Sequence, residues 1–95
     1  MQTIKLENIK PETDYILLEN QKYHLIGQAI IVNSTESYDI PFNGLVGEIV
    51  VMTDANGNKI DTIGEFVFVK LDYELKTERD DSTMIFKLSN LAVIV

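Results

Sequence analysis

Apolar and polar residues alternate along most of the chain, and this alternation predicts β-strands rather than helices. In residues 65–76 every second residue from Val67 to Leu75 is apolar, while the residues between them are charged from Lys70 onward. One apolar and one charged face are typical of a strand in an antiparallel sheet. A strand this long in a short chain is expected to bend around a barrel. The same reasoning predicts strands at about 2–9, 15–19, 24–33, 46–53, 60–63, 65–76, 83–88 and 91–95.

Proline, asparagine and glycine mark the turns between these strands. Pro11 fixes its own φ, and Asn56-Gly57 is the dipeptide that most readily takes positive φ at a hairpin tip. Ninety-five residues suit one domain and leave no room for a second core. The chain therefore reads as a single all-β domain over residues 1–95, with an N-terminal β-hairpin at 1–22 and a small antiparallel barrel at 23–95.

The order of strands and turns after Tyr23 follows a known pattern. A strand at 26–32 leads to Ile40-Pro41-Phe42, two glycines at 44 and 47 flank the next turn, V-x-L-D follows at 69–72, and L-x-V-I closes at 91–94. This order resembles SH3-like barrels, including small uncharacterised ones of phages and mobile elements. The resemblance covers residues 23–95 and implies architecture only, since such barrels serve many functions. An OB-like barrel is the alternative.

The charge of the chain disfavours nucleic acid as a partner. Fifteen acidic residues face eight basic ones, giving a net charge of −7. Residues 23–63 carry one base, Lys59, against five acids, which are Glu36, Asp39, Glu48, Asp54 and Asp61. No segment is basic, so the release of counterions that drives most nucleic-acid binding is missing. The same deficit disfavours anionic membranes.

The remaining composition narrows the class of protein. The chain has no cysteine, which excludes disulfides and thiolate metal sites. Residues 1–10 have no continuous apolar core of the kind a secretory signal needs, and the apolar runs are too short to cross a bilayer. A cytoplasmic protein is the expectation.

Candidate chemistry is sparse. His24 is the only histidine and lies in no nucleophile motif, so no catalytic residue is expected and the chain is not expected to be an enzyme. A twelve-residue calcium frame places possible ligands at Asp54, Asn56, Asn58, Thr62 and Glu65, but Lys59 stands where the turn glycine belongs. A polar hairpin tip is the better interpretation. No cofactor and no metal are expected.

These observations favour a non-catalytic protein-interaction or accessory module whose partner is another protein, of unknown identity. The candidate contact residues are the loop aromatics and the later acids, namely Tyr38, Phe42, Asp72, Glu74, Glu78, Asp80 and Asp81. The alternative is an acidic inhibitor that occupies the basic nucleic-acid-binding groove of a target protein, as a surplus of negative charge would allow. Residues 91–95, if they form an exposed edge strand, would support self-association.

Overall fold

The computed structural model describes residues 3–6, 13–18, 20–71 and 83–94, and these residues are built from antiparallel β-strands. The strands are β1 Thr3–Lys5, β2 Tyr15–Leu18, β3 Gln21–His24, β4 Ala29–Val32, β5 Val46–Thr53, β6 Lys59–Ile60, β7 Phe66–Leu71, β8 Thr83–Lys87 and β9 Leu91–Ile94. Two 3-10 helices, Ile40–Phe42 and Leu88–Asn90, are the only helical segments in these ranges. The all-β prediction is confirmed.

The main sheet runs in the order β1-β9-β4-β5-β7-β8, with β6 paired to β5 beside this path. Strands β4, β5, β7 and β8 thus lie next to one another in chain order, and the last strand returns to lie beside β4. Strand β9 has β1 on its other side, with Ile4 opposite Val93. Strand β9 is therefore not an exposed edge, and the condition under which residues 91–95 would support self-association is not met by the described residues 91–94.

The first hairpin differs from the predicted one. Strand β2 pairs with β3, and the turn between them uses Asn20 at φ 66°. Strand β1 belongs to the main sheet instead, where it pairs with β9, so the described strands β1 and β2 do not form a hairpin with each other. The hairpin is attached to the main sheet by Ile16 and Leu25, which are buried in the common core, and by the Ile63 amide, which donates to the Thr13 carbonyl at 2.6 Å.

The predicted strand at 24–33 is interrupted in the structure. The Gln28 amide donates to the Leu25 carbonyl at 3.1 Å, which closes a turn between β3 and β4. Leu25 is fully buried, so this turn drives an apolar side chain into the core instead of continuing the strand. Burial of Leu25 stabilises this turn, since a fully buried leucine contributes about 2 kcal/mol.

The core follows the alternation expected for residues 65–76 as far as these are described. Val67, Val69 and Leu71 are buried and face Ile49 and other apolar residues. Strand β5 pairs with β4, β6 and β7, which agrees with its apolar character on both faces. A bulge shifts the register between Ile49 and Val51. Bulges bend a strand and increase its twist, and this bend allows different parts of β5 to pair with β4, β6 and β7.

Candidate functional site

The segment that connects β4 to β5, residues 33–45, carries Tyr38 and Phe42 and is called the Tyr38 loop below. It turns through the 3-10 helix Ile40–Phe42, with Pro41 in the first turn. The Asp39 amide donates to the Glu36 carbonyl, and the Phe42 amide donates to the Asp39 carbonyl, both at 2.9 Å. These bonds give the loop a defined backbone although it contains no strand.

A buried polar network fixes the loop to the rest of the molecule. The Asp39 carboxylate is only 5% exposed, and its Oδ2 accepts hydrogen bonds from Ser34 Oγ and from Asn90 Nδ2, both at 3.0 Å. Ser34 Oγ in turn accepts the Glu36 amide at 3.0 Å. Asn90 belongs to the 3-10 helix before β9, so the network joins two turns 51 residues apart in sequence. Buried donors that are satisfied in this way hold one geometry.

The two ends of the loop are also joined to each other. Asn43 accepts the Ser34 amide through Oδ1 and donates from Nδ2 to the Ser34 carbonyl, both at 2.8 Å. The Asn33 amide donates to the Asn90 carbonyl at 2.9 Å. All buried side-chain nitrogen and oxygen atoms among the described residues have a hydrogen-bond partner. The loop is therefore closed at its base by paired polar groups.

The outer side of the Tyr38 loop is apolar and open to solvent. Tyr38 is 62% exposed and Ile40 is 53% exposed. The Tyr38 hydroxyl donates to the Glu36 carboxylate, whose other oxygen lies 3.5 Å from Lys87 Nζ. Holding the hydroxyl in this way orients the ring without removing it from the surface. The exposed face of the loop thus combines an oriented aromatic ring with an aliphatic side chain.

Phe42 has a different position from Tyr38. It is half-buried and packs edge-on against Phe86, with ring centroids 6.2 Å apart and an angle of 79° between the planes. Phe42 therefore anchors the loop to the core and contributes little to its exposed surface. Of the seven contact residues expected from the sequence, Tyr38 lies on the exposed surface, and the acids Asp72, Glu74, Glu78, Asp80 and Asp81 lie outside the described residues.

Sequence reasoning missed Ile40. Alternation identifies apolar residues that face a core from a strand, but Ile40 lies in a turn where no alternation exists. It also missed Ser34 and Asn90 as partners of Asp39. One signal for a buried polar group was present in the sequence: Asp39 lies between the apolar residues Tyr38 and Ile40 in a segment interpreted as a loop.

The region around His24 forms a half-open cavity of about 250 Å³. The residues that line it are Asp14, His24, Ile26, Val50, Val51, Met52, Lys59, Ile60 and Asp61. His24 Nδ1 lies 3.9 Å from Asp14 Oδ2, and its side chain is 69% exposed. Among the described residues that line the cavity, no side chain carries a hydroxyl or a thiol that could act as the nucleophile beside this histidine. A triad-type arrangement is therefore not assembled there.

The five-residue connection between β5 and β6 is a hairpin tip. Asp54 Oδ1 accepts the amides of Asn56 and Asn58 at 2.9 and 3.0 Å. The Asn58 amide, followed by the other loop donors, holds the pKa of the Asp54 carboxyl below its usual value, because hydrogen bonds to the charged form favour it. The carboxylate thus caps the turn. In the part of the chain that the structure describes, no group of three metal-ligating side chains converges.

Several acids of residues 23–63 have partners inside the fold. Asp39 is buried in the network, Glu36 pairs with Lys87, and Asp54 binds its own loop. Glu48 lies directly opposite Lys70 in the ladder between β5 and β7. Opposite charges facing each other on neighbouring strands stabilise a sheet locally. Asp39, Glu36 and Asp54 therefore make contacts within the domain, and Glu48 faces an opposite charge on the neighbouring strand.

Comparison of the chain with protein-family models, with curated protein sequences and with solved structures gives no match. Within the described ranges, no helix combines the length and the apolar character that crossing a bilayer requires.

Proposed function

We propose that this chain is a non-catalytic protein-interaction module on an SH3-like barrel, and that the Tyr38 loop is its contact surface. The observation that carries the proposal is the pairing of exposed Tyr38 and Ile40 with a loop base fixed by buried Asp39. Apolar side chains on a flexible loop contribute less to binding, because the partner must also order the loop. Here that ordering is already present in the free protein.

The order of strands supports the SH3-like part of the proposal. Strands β4, β5, β7 and β8 are consecutive antiparallel neighbours, a 3-10 helix precedes β9, and β9 lies beside β4. The resemblance of residues 23–95 to SH3-like domains implies this kind of arrangement. An OB-like barrel is a Greek key, whose strands are not all in chain order. The order observed therefore favours the SH3-like interpretation, and the likeness to phage and mobile-element domains stays a prediction.

The chemistry of the exposed residues supports a protein partner. Tyrosine is enriched among the residues that dominate binding energy, because it buries a large ring at low entropic expense and keeps a polar end. Ile40 beside it adds aliphatic surface, and Glu36 with Lys87 supplies a polar border. A centre of apolar side chains within a polar rim is the usual anatomy of a protein–protein contact. A cytoplasmic location and a non-enzymatic role go with this proposal.

The acidic-inhibitor alternative remains a prediction from the sequence. Asp39 is buried and Glu36 lies beside Lys87, so these two acids of residues 23–63 contribute less negative charge to a basic groove. Eight further acids lie outside the described residues, three of them in residues 78–81. No described feature favours the alternative over the interaction module.

The test is partner capture with matched variants. The purified protein, with a cross-linker attached at low occupancy, is incubated with extract of the source organism, and cross-linked proteins are identified by mass spectrometry. The loop variant Tyr38→Ser/Ile40→Ser removes the exposed apolar pair. The control variant Leu17→Ser/Ile26→Ser removes two other exposed aliphatic residues, 66% and 46% exposed, from a different region.

We expect one protein to be enriched by the wild type and by the control variant, and to be reduced at least about tenfold by the loop variant, since hot-spot truncations commonly weaken binding by 1.4 kcal/mol or more. A partner captured equally well by the loop variant would contradict the assignment of the surface. Enrichment of no protein by the wild type would contradict the interaction function itself.

A further inference from the structure

The chain contains two Asn-Gly dipeptides, Asn43-Gly44 and Asn56-Gly57, and both lie in turns. In both, the glycine takes positive φ, 88° at Gly44 and 81° at Gly57. An asparagine side chain before glycine is open to attack by the next backbone nitrogen, because glycine has no side chain to obstruct the approach. By sequence alone the two dipeptides are equivalent, so any difference in their reactivity comes from the fold.

The side chain of Asn43 is held in place by the base of the Tyr38 loop. Its Oδ1 accepts the Ser34 amide and its Nδ2 donates to the Ser34 carbonyl, both at 2.8 Å. Ser34 is buried and is itself bonded to Asp39. The Gly44 amide donates to the Val32 carbonyl at 3.0 Å, across the same base. The side-chain amide of Asn43 therefore turns toward the Gly44 nitrogen only if the base of the loop opens.

The side chain of Asn56 is not held in this way. It is exposed, and among the described residues its side-chain amide makes no hydrogen bond. The Gly57 amide donates to the Asp54 carbonyl at 3.1 Å, which is a bond within the turn itself. The strand that follows the tip, β6, has two residues. At Asn56 the side chain is free to rotate, and only a local turn has to open.

We infer that Asn56 is a site of spontaneous deamidation and that the folded loop protects Asn43 in the same dipeptide. The Gly57 nitrogen loses its proton to hydroxide and attacks Cγ of Asn56. A new C–N bond forms, the bond from Cγ to Nδ2 breaks, and the departing nitrogen takes a proton from water and leaves as ammonia. The product is a five-membered succinimide. Water opens this ring at either carbonyl and gives aspartate or isoaspartate, in which the backbone continues through Cγ.

The modification changes the tip of the β5–β6 hairpin. Asp54 Oδ1 accepts the amides of both Asn56 and Asn58, so the segment between these amides closes a ring on the carboxylate. Isoaspartate lengthens the backbone inside that ring by one carbon, and either product places a second carboxylate near Asp54. Like charges repel each other, and β6 is held to β5 by two residue pairs. The modification therefore loosens the hairpin and adds one negative charge to a chain that carries −7.

The two bonds to Ser34 set the expected difference in rate. We expect Asn56 to convert at least about tenfold faster than Asn43 in the folded protein, since a tenfold difference corresponds to about 1.4 kcal/mol, which two neutral hydrogen bonds together supply. The amide of the following glycine is bonded to a carbonyl at both sites, at 3.0 and 3.1 Å, so this bond does not separate them.

The experiment is incubation of the whole chain in mildly alkaline buffer, followed by digestion at mildly acidic pH, where the reaction is slow, and by mass spectrometry. Cleavage after glutamate gives one peptide that contains Asn43, residues 37–48, and another that contains Asn56, residues 49–65. Deamidation replaces an amide nitrogen by oxygen, so a modified peptide is heavier, and its fragment ions distinguish Asn56 from Asn58. A parallel sample unfolded in urea measures the reactivity of each dipeptide without the fold.

We expect conversion at Asn56 in the folded protein and similar rates at Asn56 and Asn43 in urea, where the bonds to Ser34 are absent. The control Asn56→Ser removes the reacting amide, so peptide 49–65 should stay unmodified while circular dichroism shows an unchanged fold. Conversion of this control in peptide 49–65 would assign the reaction to Asn58 and overturn the inference.

Equal rates at Asn56 and Asn43 in the folded protein would also overturn it, as would a folded protein in which Asn56 stays intact while the sample in urea converts. An Asn43 that stays slow in urea would show that the bonds to Ser34 are not its protection. None of these measurements involves a partner, so their outcome is independent of the proposed function.

Discussion

Replacing the buried Asp39 by alanine removes the acceptor that two buried donors share. Ser34 Oγ and Asn90 Nδ2 both donate to Asp39 Oδ2 at 3.0 Å. A hydrogen bond to a charged group contributes about 1.5–3 kcal/mol, so two such bonds give about 3–6 kcal/mol. Part of this loss is offset, because the variant no longer has to transfer a carboxylate from water into the protein interior. The expected net loss in the free energy of unfolding is about 2–4 kcal/mol.

This loss is large on the scale of the whole domain. A chain of 95 residues is expected to have a free energy of unfolding of about 5–14 kcal/mol. The measurement is urea unfolding at neutral pH, followed by far-ultraviolet circular dichroism because the chain has no tryptophan. A shift of the midpoint with an unchanged slope reports a change of stability rather than of the unfolded state.

Three companion variants show whether the loss in the free energy of unfolding comes from the hydrogen bonds to Asp39. Asp39→Asn retains one oxygen acceptor and nearly the same shape, so its free energy of unfolding should fall by less, about 1 kcal/mol. Asp61→Ala removes an exposed carboxylate and should change stability by less than about 0.5 kcal/mol. The double variant Asp39→Ala/Asn90→Ala should lose about 1 kcal/mol less than the sum of its single variants, because both break the same bond. An Asp39→Ala protein as stable as Asp61→Ala would refute the reasoning.

Two further predictions concern the region between β5 and β7. A Cβ at Gly64 would lie 2.1 Å from the Thr53 carbonyl oxygen. Because that oxygen belongs to the backbone, it cannot move away as a flexible side chain could. Gly64→Ala should therefore lower the free energy of unfolding by about 2–3 kcal/mol. Gly57→Ala should lower the free energy of unfolding by only about 1 kcal/mol, because the added Cβ has no atom within 4 Å and the only penalty is an alanine at a φ of +81°. Equal melting temperatures for the two variants would contradict this. The Asp54 carboxyl, observed by NMR, should titrate below an ordinary aspartate, because its folded pKa is lowered by the Asn58 amide. Its contribution to stability is then present at neutral pH and is lost as the pH falls through that lowered pKa; a midpoint at or above the ordinary value would rule out the capping role.

Periodicity predicted the parts of this fold that depend on a face of a strand. Residues 46–53 match β5 at both ends, and the buried residues of β7 are those that the alternation placed inside. It failed at residues 24–33, where one strand was predicted through Gly27 and Gln28 although Gly27 takes a φ of 89° and the Gln28 amide closes a turn on Leu25. A run of apolar residues does not state where the backbone turns, because a turn residue and a strand residue can both be buried.

The candidate site depended on partners that sequence patterns do not connect. Asp39 and Asn90 are 51 positions apart, and only the return of β9 beside β4 brings them together. Ile40 lies in a turn, where exposure is set by the local path of the backbone and not by alternation. Whether residues 91–94 lie at an edge was left open by the sequence for a similar reason, since β1 pairs with β9 across a long stretch of sequence.

The most direct test of the proposed function is whether the Tyr38 loop is rigid in the free protein. Backbone ¹⁵N relaxation of the wild type measures this for residues 36–42 without any partner. We expect order parameters of about 0.85, equal to those of β5 and β7, and a fall in these values in Asp39→Ala if that variant remains folded. Order parameters below about 0.6 across residues 36–42 of the wild type would contradict a pre-formed contact surface.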